Sequence, residues 1–248
     1  MVRGCLFIAL PITYLRTNIS SSPIGVRKPQ STNTKTLTFL LALLSTTLAA
    51  PTSPPANPLS QRTLSQCPPN TAQPKGKLPA NSISTSILVP TSSKKPDTAF
   101  PSSSWAKVTP NDFCTVFNLD LPAAATQGKL CNLVFDFPSL LQAPGLFVYL
   151  GPGHFTFTGY AFGTGAVEGV TTYNDQPAAG PSPPNPPSVM RPGNSYIVNS
   201  APCGIPPYAG TVTVSGSLCN KDTTFLFKQG ELFCPLGFYI VLTDDLDA

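Results

Sequence analysis

The sequence predicts an all-β fold, an antiparallel β-sandwich of about ten strands, from three observations. Apolar and polar residues alternate with a period of two in short segments between residues 83 and 243. Turn-forming residues separate these segments, as at Pro144–Gly145 and Gly151–Pro152–Gly153. The 248 residues include 30 prolines and show no amphipathic helix pattern, which excludes long helices. Short strands between frequent turns are typical of a sandwich.

The first predicted strand is formed by the β-prone residues 83–89, which lie between Pro79 and Pro90. The alternating segments predict strands at 117–121, 131–137, 155–158 and 212–214. Further strands are predicted at 146–150, 167–173, 195–200, 223–228 and 236–243. The proline-rich residues 181–187 are interpreted as a stiff, extended connector between two strands.

Residues 1–49 are predicted to be a targeting segment that directs secretion. The apolar run 37–49 ends in Thr47–Leu48–Ala49, a small-x-small pattern that predicts cleavage after Ala49. Because the run is shorter than the roughly 20 residues of a membrane span, a cleaved signal is favoured over a retained signal anchor, and no transmembrane span is expected. A second apolar run precedes it, so residues 1–34 are interpreted as a gene-model extension.

The charge of the cleaved chain excludes several classes of partner. Cleavage removes five basic residues: Arg3, Arg16, Arg27, Lys28 and Lys35. Ten basic and eleven acidic residues remain. A chain so close to neutrality gains little of the counterion-release energy that drives nucleic-acid binding, so nucleic acids and acidic membranes are not expected as partners.

After the targeting segment, the amino-acid composition differs between the first and the second part of the chain. Between residues 51 and 110, Pro, Ser and Thr occupy 30 of 60 positions. Such a segment has too little apolar surface to offset the entropy of ordering, and its composition is that of an O-glycosylated stalk. We therefore expect a disordered Ser/Thr/Pro-rich arm at 50–82, a folded domain at 83–243 and an acidic tail at 244–248.

The cysteines agree with export. Six remain after cleavage: Cys67, Cys114, Cys131, Cys203, Cys219 and Cys234. An even number in an exported chain predicts up to three structural disulfides, with fifteen possible connectivities. A bond between Cys219 and Cys234 is disfavoured, because the predicted strand 223–228 between them spans almost 20 Å, or about 3.3 Å per residue. With no Cys-x-x-Cys pair and one histidine, no metal site or other cofactor is expected.

Catalytic motifs are not recognised. The single histidine, His154, follows a Gly-Pro-Gly turn and is interpreted as solvated rather than as part of a Ser-His-Asp triad. The best-placed carboxylates are Asp120 and Asp136; if 113–121 and 129–137 form a hairpin, they lie about 20 Å apart. That distance exceeds the roughly 5–10 Å of a glycosidase pair.

The remaining acidic and glycine-rich segments also have simple interpretations. Glu168 and Glu231 lie in no recognised motif. Residues 163–169 lack the Gly-x-Gly-x-x-Gly spacing of a dinucleotide loop and are interpreted as a turn. The acidic residues Asp244, Asp245 and Asp247 are interpreted as a solvated end rather than a calcium loop.

Several segments together resemble a known family. They are 115–122, 128–138, 155–159, 171–177, 192–198 and 237–240. In this order, over about 85–243, they are similar to the C-terminal domain of the ubiquitin-three-binding (But-two) proteins, found in many secreted-looking fungal proteins. The resemblance implies the fold but no activity. It also implies a disulfide between Cys131 and Cys203, and leaves the pairing of the other four cysteines open.

The predicted function is that of a secreted fungal, non-catalytic β-sandwich of the cell wall or extracellular matrix, binding glycan or another protein. The intracellular ubiquitin-like activating enzyme behind the family name does not fit an exported chain. The alternative is a secreted hydrolase of wall polysaccharide with an unrecognised active site. Exposed aromatic residues clustered on one sheet face would favour binding, whereas a deep pocket with two carboxylates roughly 5–10 Å apart would favour hydrolysis.

Overall fold

A computed structural model describes residues 66–181, 184 and 186–245. The strands are β1 (Ile83–Ser92), β2 (Trp105–Val108), β3 (Phe113–Pro122), β4 (Lys129–Phe137), β5 (Phe147–Leu150), β6 (Phe155–Gly159), β7 (Asn194–Pro202), β8 (Thr211–Asn220), β9 (Thr224–Lys228) and β10 (Gly237–Asp244). One four-residue helix, α1 (Ala123–Thr126), follows β3. Within this part of the chain no helix is long and apolar enough to cross a bilayer. The prediction of an all-β sandwich is confirmed.

Strand β1 joins the two layers of the sandwich. All pairings are antiparallel, and seven strands follow the order β6-β8-β3-β1-β10-β4-β7. Ile83 and Ser84 pair with β10, whereas β1 pairs with β3 from Thr85 onward, with a register shift between Thr85 and Ile87. We call the β10-β4-β7 side layer A and the β3-β8-β6 side layer B. Strands β2, β9 and β5 form a separate three-stranded end sheet.

The core lies between the layers and is closed by the end sheet. Phe117 of layer B stacks on Phe238 of layer A with ring centroids 4.0 Å apart. From the end sheet, Phe225 packs against Phe137 at 4.7 Å and Phe227 against Phe135 at 5.4 Å. These rings are almost completely buried, which is the main apolar contribution to the fold.

Residues 66–82, here called the strap, correct one expectation. Ala72 packs with Val134, Tyr239 and Val241 on the outer face of layer A. Cys67 forms a disulfide with Cys234. The expectation of a disordered arm is therefore wrong for residues 66–82. Ordering these residues costs conformational entropy, and the disulfide and the buried apolar contact offset that cost. Residues 50–65 and the predicted targeting segment lie outside the described residues.

The predicted strand at 167–173 is wrong, since these residues form a loop. The Asn118 side chain binds the backbone of Ala166 on both sides, with Nδ2 donating to the carbonyl at 2.9 Å and Oδ1 accepting from the N–H at 2.9 Å. Gly169 then turns the chain at φ +71°. The β-prone side chains of this segment therefore lie beside layer B without joining it.

Two further differences concern pairing. The short strand β2 is not predicted, because its four residues are ordered by distant segments: they pair with β9, and the Lys107 backbone is hydrogen-bonded to the Thr115 hydroxyl of β3. The hairpin between 113–121 and 129–137 is also wrong: β3 pairs with β1 and β8, and β4 pairs with β10 and β7. The other predicted strands each contain or overlap an observed strand.

Candidate functional site

A groove lined by hydroxyl groups is the candidate binding site. It has a volume of about 440 Å³ and lies between the start of β1 and the segment that leads into β2. Its lining residues are Ser84, Thr85, Ser86, Ile87, Leu88, Ser102, Ser103, Ser104 and Gln229. Six hydroxyl-bearing residues and one residue with a side-chain amide therefore line a single open groove. None of these lining residues is charged.

The groove exists because β1 changes layers. The register shift between Thr85 and Ile87 separates β1 from β10 at this point. The facing wall is tied down by two backbone hydrogen bonds: the N–H of Ser103 donates to the Leu88 carbonyl at 3.0 Å, and the N–H of Gln229 donates to the Ser104 carbonyl at 3.0 Å. Both walls are therefore fixed before any ligand binds.

Several of the groove hydroxyls are available to a ligand. Within the described part of the chain, the hydroxyl groups of Thr85, Ser86 and Ser104 have no hydrogen-bond partner. A hydroxyl group offers one donor and two acceptor sites. These residues can thus bind groups that both donate and accept hydrogen bonds.

One end of the groove is anchored by a carboxylate. Glu168 Oε1 accepts hydrogen bonds from the Ser102 N–H at 3.1 Å and from the Ser102 hydroxyl at 2.6 Å. These bonds hold the pKa of Glu168 below its usual range. Trp105 directly follows the groove residue Ser104, and its side chain is 38% exposed. The groove thus combines polar walls with a neighbouring accessible aromatic ring.

The residues that the structure describes form three disulfides. Cys131 is bonded to Cys203, with Cα atoms 4.9 Å apart, and this is the pair implied by the family resemblance. The others are Cys114–Cys219 and Cys67–Cys234. Cys219 and Cys234 are not bonded to each other, in agreement with the distance argument.

His154 forms an exposed hydrogen bond with Asp222 rather than a triad. Its Nδ1 lies 2.6 Å from Asp222 Oδ2, and Asp222 Oδ1 accepts a hydrogen bond from the Thr223 hydroxyl at 2.7 Å. The bonds from Thr223 and His154 hold the pKa of Asp222 below its usual range. Among the described residues His154 Nε2 has no hydrogen-bond partner, so no serine hydroxyl lies where the nucleophile of a triad would bind it.

Asp120 and Asp136 are not brought together. Asp120 faces outward from layer B and accepts a hydrogen bond from the Thr213 hydroxyl at 2.7 Å. Asp136 faces outward from layer A, where the Ser195 hydroxyl and Gln73 Nε2 donate to its carboxyl group. Because stacked sheets lie about 10 Å apart, carboxylates on the two outer faces do not form a glycosidase pair.

The remaining predicted residues also lie apart. The 163–169 segment is a loop held against layer B, and Glu231 lies in the loop between β9 and β10. Asp244 is paired with Lys129, which lowers the pKa of its carboxyl group. Asp247 lies outside the described residues. No group of three or more His, Cys, Asp or Glu side chains in the described ranges could hold a metal ion.

Neither feature that would separate binding from hydrolysis stands out. In the described ranges the more exposed aromatic side chains are scattered, one on β2 and four on loops: Trp105, Phe162, Tyr173, Tyr208 and Phe233. Of five cavities on the same part of the chain, none is lined by two carboxylates.

The groove was not predicted from the sequence. Its one local signal is the triplet Ser102–Ser104 before Trp105.

Comparison with known proteins addresses the family. No curated protein matches the chain. The profile of the family described as "Ubiquitin 3 binding protein But2 C-terminal domain" matches residues 86–231. The match covers 146 of the 248 residues and runs from β1 into the loop after β9. The chain therefore belongs to the But2 C-terminal domain family.

Proposed function

We propose that the protein is a secreted, non-catalytic module of the fungal cell wall or extracellular matrix that binds a neutral glycan in the hydroxyl-lined groove. The observation that carries the proposal is the lining itself, six hydroxyl groups and one amide without a charged side chain. Sugar hydroxyls both donate and accept hydrogen bonds, so they match such a lining. The three disulfides are compatible with an extracellular location.

Binding without hydrolysis is supported by the residues around the groove. Glu168 contacts the groove wall, but its Oε1 oxygen already accepts two hydrogen bonds from Ser102. Two carboxyl groups on opposite sides of a glycosidic bond are the usual requirement for hydrolysis. The groove lining supplies neither of them.

The test is binding to a panel of neutral wall polysaccharides, measured by affinity electrophoresis and by calorimetry with the corresponding oligosaccharides. The double variant Thr85→Val/Ser86→Ala removes two unpartnered hydroxyls, and Trp105→Ala removes the adjacent ring. Each should weaken binding at least tenfold, about 1.4 kcal/mol. Tyr208→Ala, a substitution of a loop residue that is 89% exposed, is the matched control and should bind as the wild type.

Two outcomes would reject this proposal. One is the absence of binding to every polysaccharide, or equal binding by the wild type and the groove variants. The other is the release of reducing ends by the wild-type protein, which would favour the hydrolase alternative.

A second candidate is protein binding, which the family description suggests by naming ubiquitin 3. The outward face of the end sheet carries the apolar residues Trp105, Val148, Leu150 and the partly buried Leu226, with Lys107, Lys228 and Thr224 on the same face. Such a face is suited to a protein partner. Calorimetry with purified ubiquitin and the variants Val148→Ser and Leu150→Ser tests it, with Tyr208→Ala again as control. No heat of binding, or binding unaffected by both serine variants, would exclude this face.

A further inference from the structure

The two ends of the sandwich core differ in composition and closure. Beside the end sheet, the core consists of buried aromatic rings such as Phe137 and Phe225. At the opposite end, the side chains that face between the layers are mainly aliphatic. Those from β4 and β8 are only partly buried, namely Cys131, Leu133, Val212 and Val214. The core is therefore open to solvent at its aliphatic end.

An apolar crevice of about 220 Å³ occupies this open end. Leu119 and Leu121 line it from layer B, and Leu133 and Ile240 line it from layer A. Apolar surface that stays in contact with water is unfavourable in proportion to its area. A ligand that covers these side chains would remove that cost.

The mouth of the crevice is polar but uncharged. Asn199 borders it, together with Phe162, whose side chain is 56% exposed, and Pro184, whereas the Ser215 hydroxyl donates to the Thr164 carbonyl. No charged residue is among those lining the crevice. No lining side chain can therefore neutralise a carboxylate or phosphate headgroup. The crevice instead favours a ligand that is apolar along its length and has a neutral end.

We propose that this inter-layer crevice binds a single aliphatic chain with a neutral polar headgroup at Asn199. At roughly 30 Å³ per water-sized group, the volume of about 220 Å³ holds about seven such groups, which corresponds to an alkyl chain of about seven to eight carbons. The lining residues come from six strands, and the Cys131–Cys203 disulfide ties part of the rim. The site is thus largely formed in advance, which lowers the entropic cost of binding.

The test uses the full chain with its disulfides intact and alkyl β-D-glucosides from methyl to decyl, each kept below its micelle concentration in calorimetry. Affinity should rise about fourfold for each added methylene up to octyl, and then level off. Methyl β-D-glucoside has the same headgroup, so any sugar binding in the hydroxyl-lined groove is common to the series. The outcome is therefore independent of the proposed glycan function.

Substitution locates the ligand. Val214→Phe places a larger side chain in the crevice and should weaken octyl glucoside binding at least tenfold. Val148→Phe makes the same change on the exposed outer face of the end sheet and should leave binding unchanged. If Val214→Phe does not fold, methyl NMR of the wild type replaces it, with octyl-dependent shifts expected at Leu133, Val214 and Ile240.

The inference is overturned if affinity does not depend on chain length. It is also overturned if Val214→Phe folds and binds octyl glucoside as the wild type does, or if the methyl shifts fall at Val148 and Leu150 instead. The absence of binding by any alkyl glucoside would show that the crevice accepts no such chain, including the case in which residues of the chain itself fill it.

Discussion

Gln73 donates a hydrogen bond from Nε2 to Asp136 Oδ2 at 3.1 Å, which joins the strap to the outer face of β4. The other oxygen of Asp136 accepts from the Ser195 hydroxyl, and that hydroxyl accepts from Asn70 Nδ2 at 2.7 Å. Asp136 is 3% exposed, and burial raises the pKa of its carboxyl group to about 6. A single buried acid therefore links two strap residues to layer A, and its protonation is coupled to the stability of the fold.

The first prediction concerns pH. Because the pKa of Asp136 is about 6 in the folded protein and near 3.8 in the unfolded chain, the folded state binds the proton more tightly. Its contribution is most favourable below about pH 4 and is lost as pH rises through 6. The free energy of unfolding should fall over this window by up to about 3 kcal/mol from this group.

The variant Asp136→Asn should lose this part of the pH dependence and be at least as stable as the wild type at pH 7. Its amide can donate to Gln73 Oε1, a buried oxygen without a hydrogen-bond partner among the described residues. Urea unfolding at several pH values measures the difference, and Asp120→Asn is the control that should keep the wild-type slope. An unchanged slope in Asp136→Asn would assign the effect to another group.

The second prediction concerns the disulfide of the strap. Cys67→Ser/Cys234→Ser opens a bond that spans 167 residues, for which the chain-entropy model gives about 5 kcal/mol. The strap should detach first, so trypsin should cleave faster after the exposed residues Lys75 and Lys77. Removing Cys114 and Cys219 instead should cost a similar amount without faster cleavage there. Equal cleavage rates in both variants would contradict this role.

The third prediction concerns Gly76, which turns the strap at φ +66°. A Cβ atom at this position would lie 2.1 Å from the Cys67 carbonyl oxygen. Gly76→Ala should therefore cost more than the roughly 1–2 kcal/mol of the left-handed conformation. Gly145→Ala has a similar φ of +72° but no atom within 4 Å of the new Cβ, so it should show the conformational cost alone. Thermal unfolding of both variants makes the comparison, and equal losses would argue against the contact.

The fourth prediction concerns the stacked pair Phe117–Phe238. Each Phe→Leu substitution should lower the free energy of unfolding by about 1–2 kcal/mol, less than the 3–5 kcal/mol of a truncation to Ala. A double-mutant cycle should show coupling of about 0.5–1.5 kcal/mol. The same cycle for Phe117 with Phe147, whose rings do not pair, should be additive. Additivity in both cycles would mean that the stacking adds nothing beyond burial.

Much of the fold could be predicted because the alternation of apolar and polar residues can be read within each strand segment alone. Successive side chains of a strand point to opposite faces, so the pattern around residue 135 already places Phe135 and Phe137 inward and Asp136 outward. The all-β class and most strand positions follow from it. The 167–173 segment fails because its backbone forms hydrogen bonds within the segment itself: the N–H groups of Val170 and Thr171 donate to the Val167 carbonyl, and the Val167 N–H donates to the Thr171 hydroxyl.

The sequence by itself determined the all-β class and the inward and outward faces of the strands. Only the tertiary structure decided the burial of Asp136, the partners of Cys67 and Cys114, and the opening of the groove where β1 changes layers. The physical reason is that burial and pairing depend on segments far apart in the chain, such as Cys67 and Cys234, which are 167 residues apart. A strand's own pattern shows which face a residue occupies, but a distant segment determines whether that face meets water.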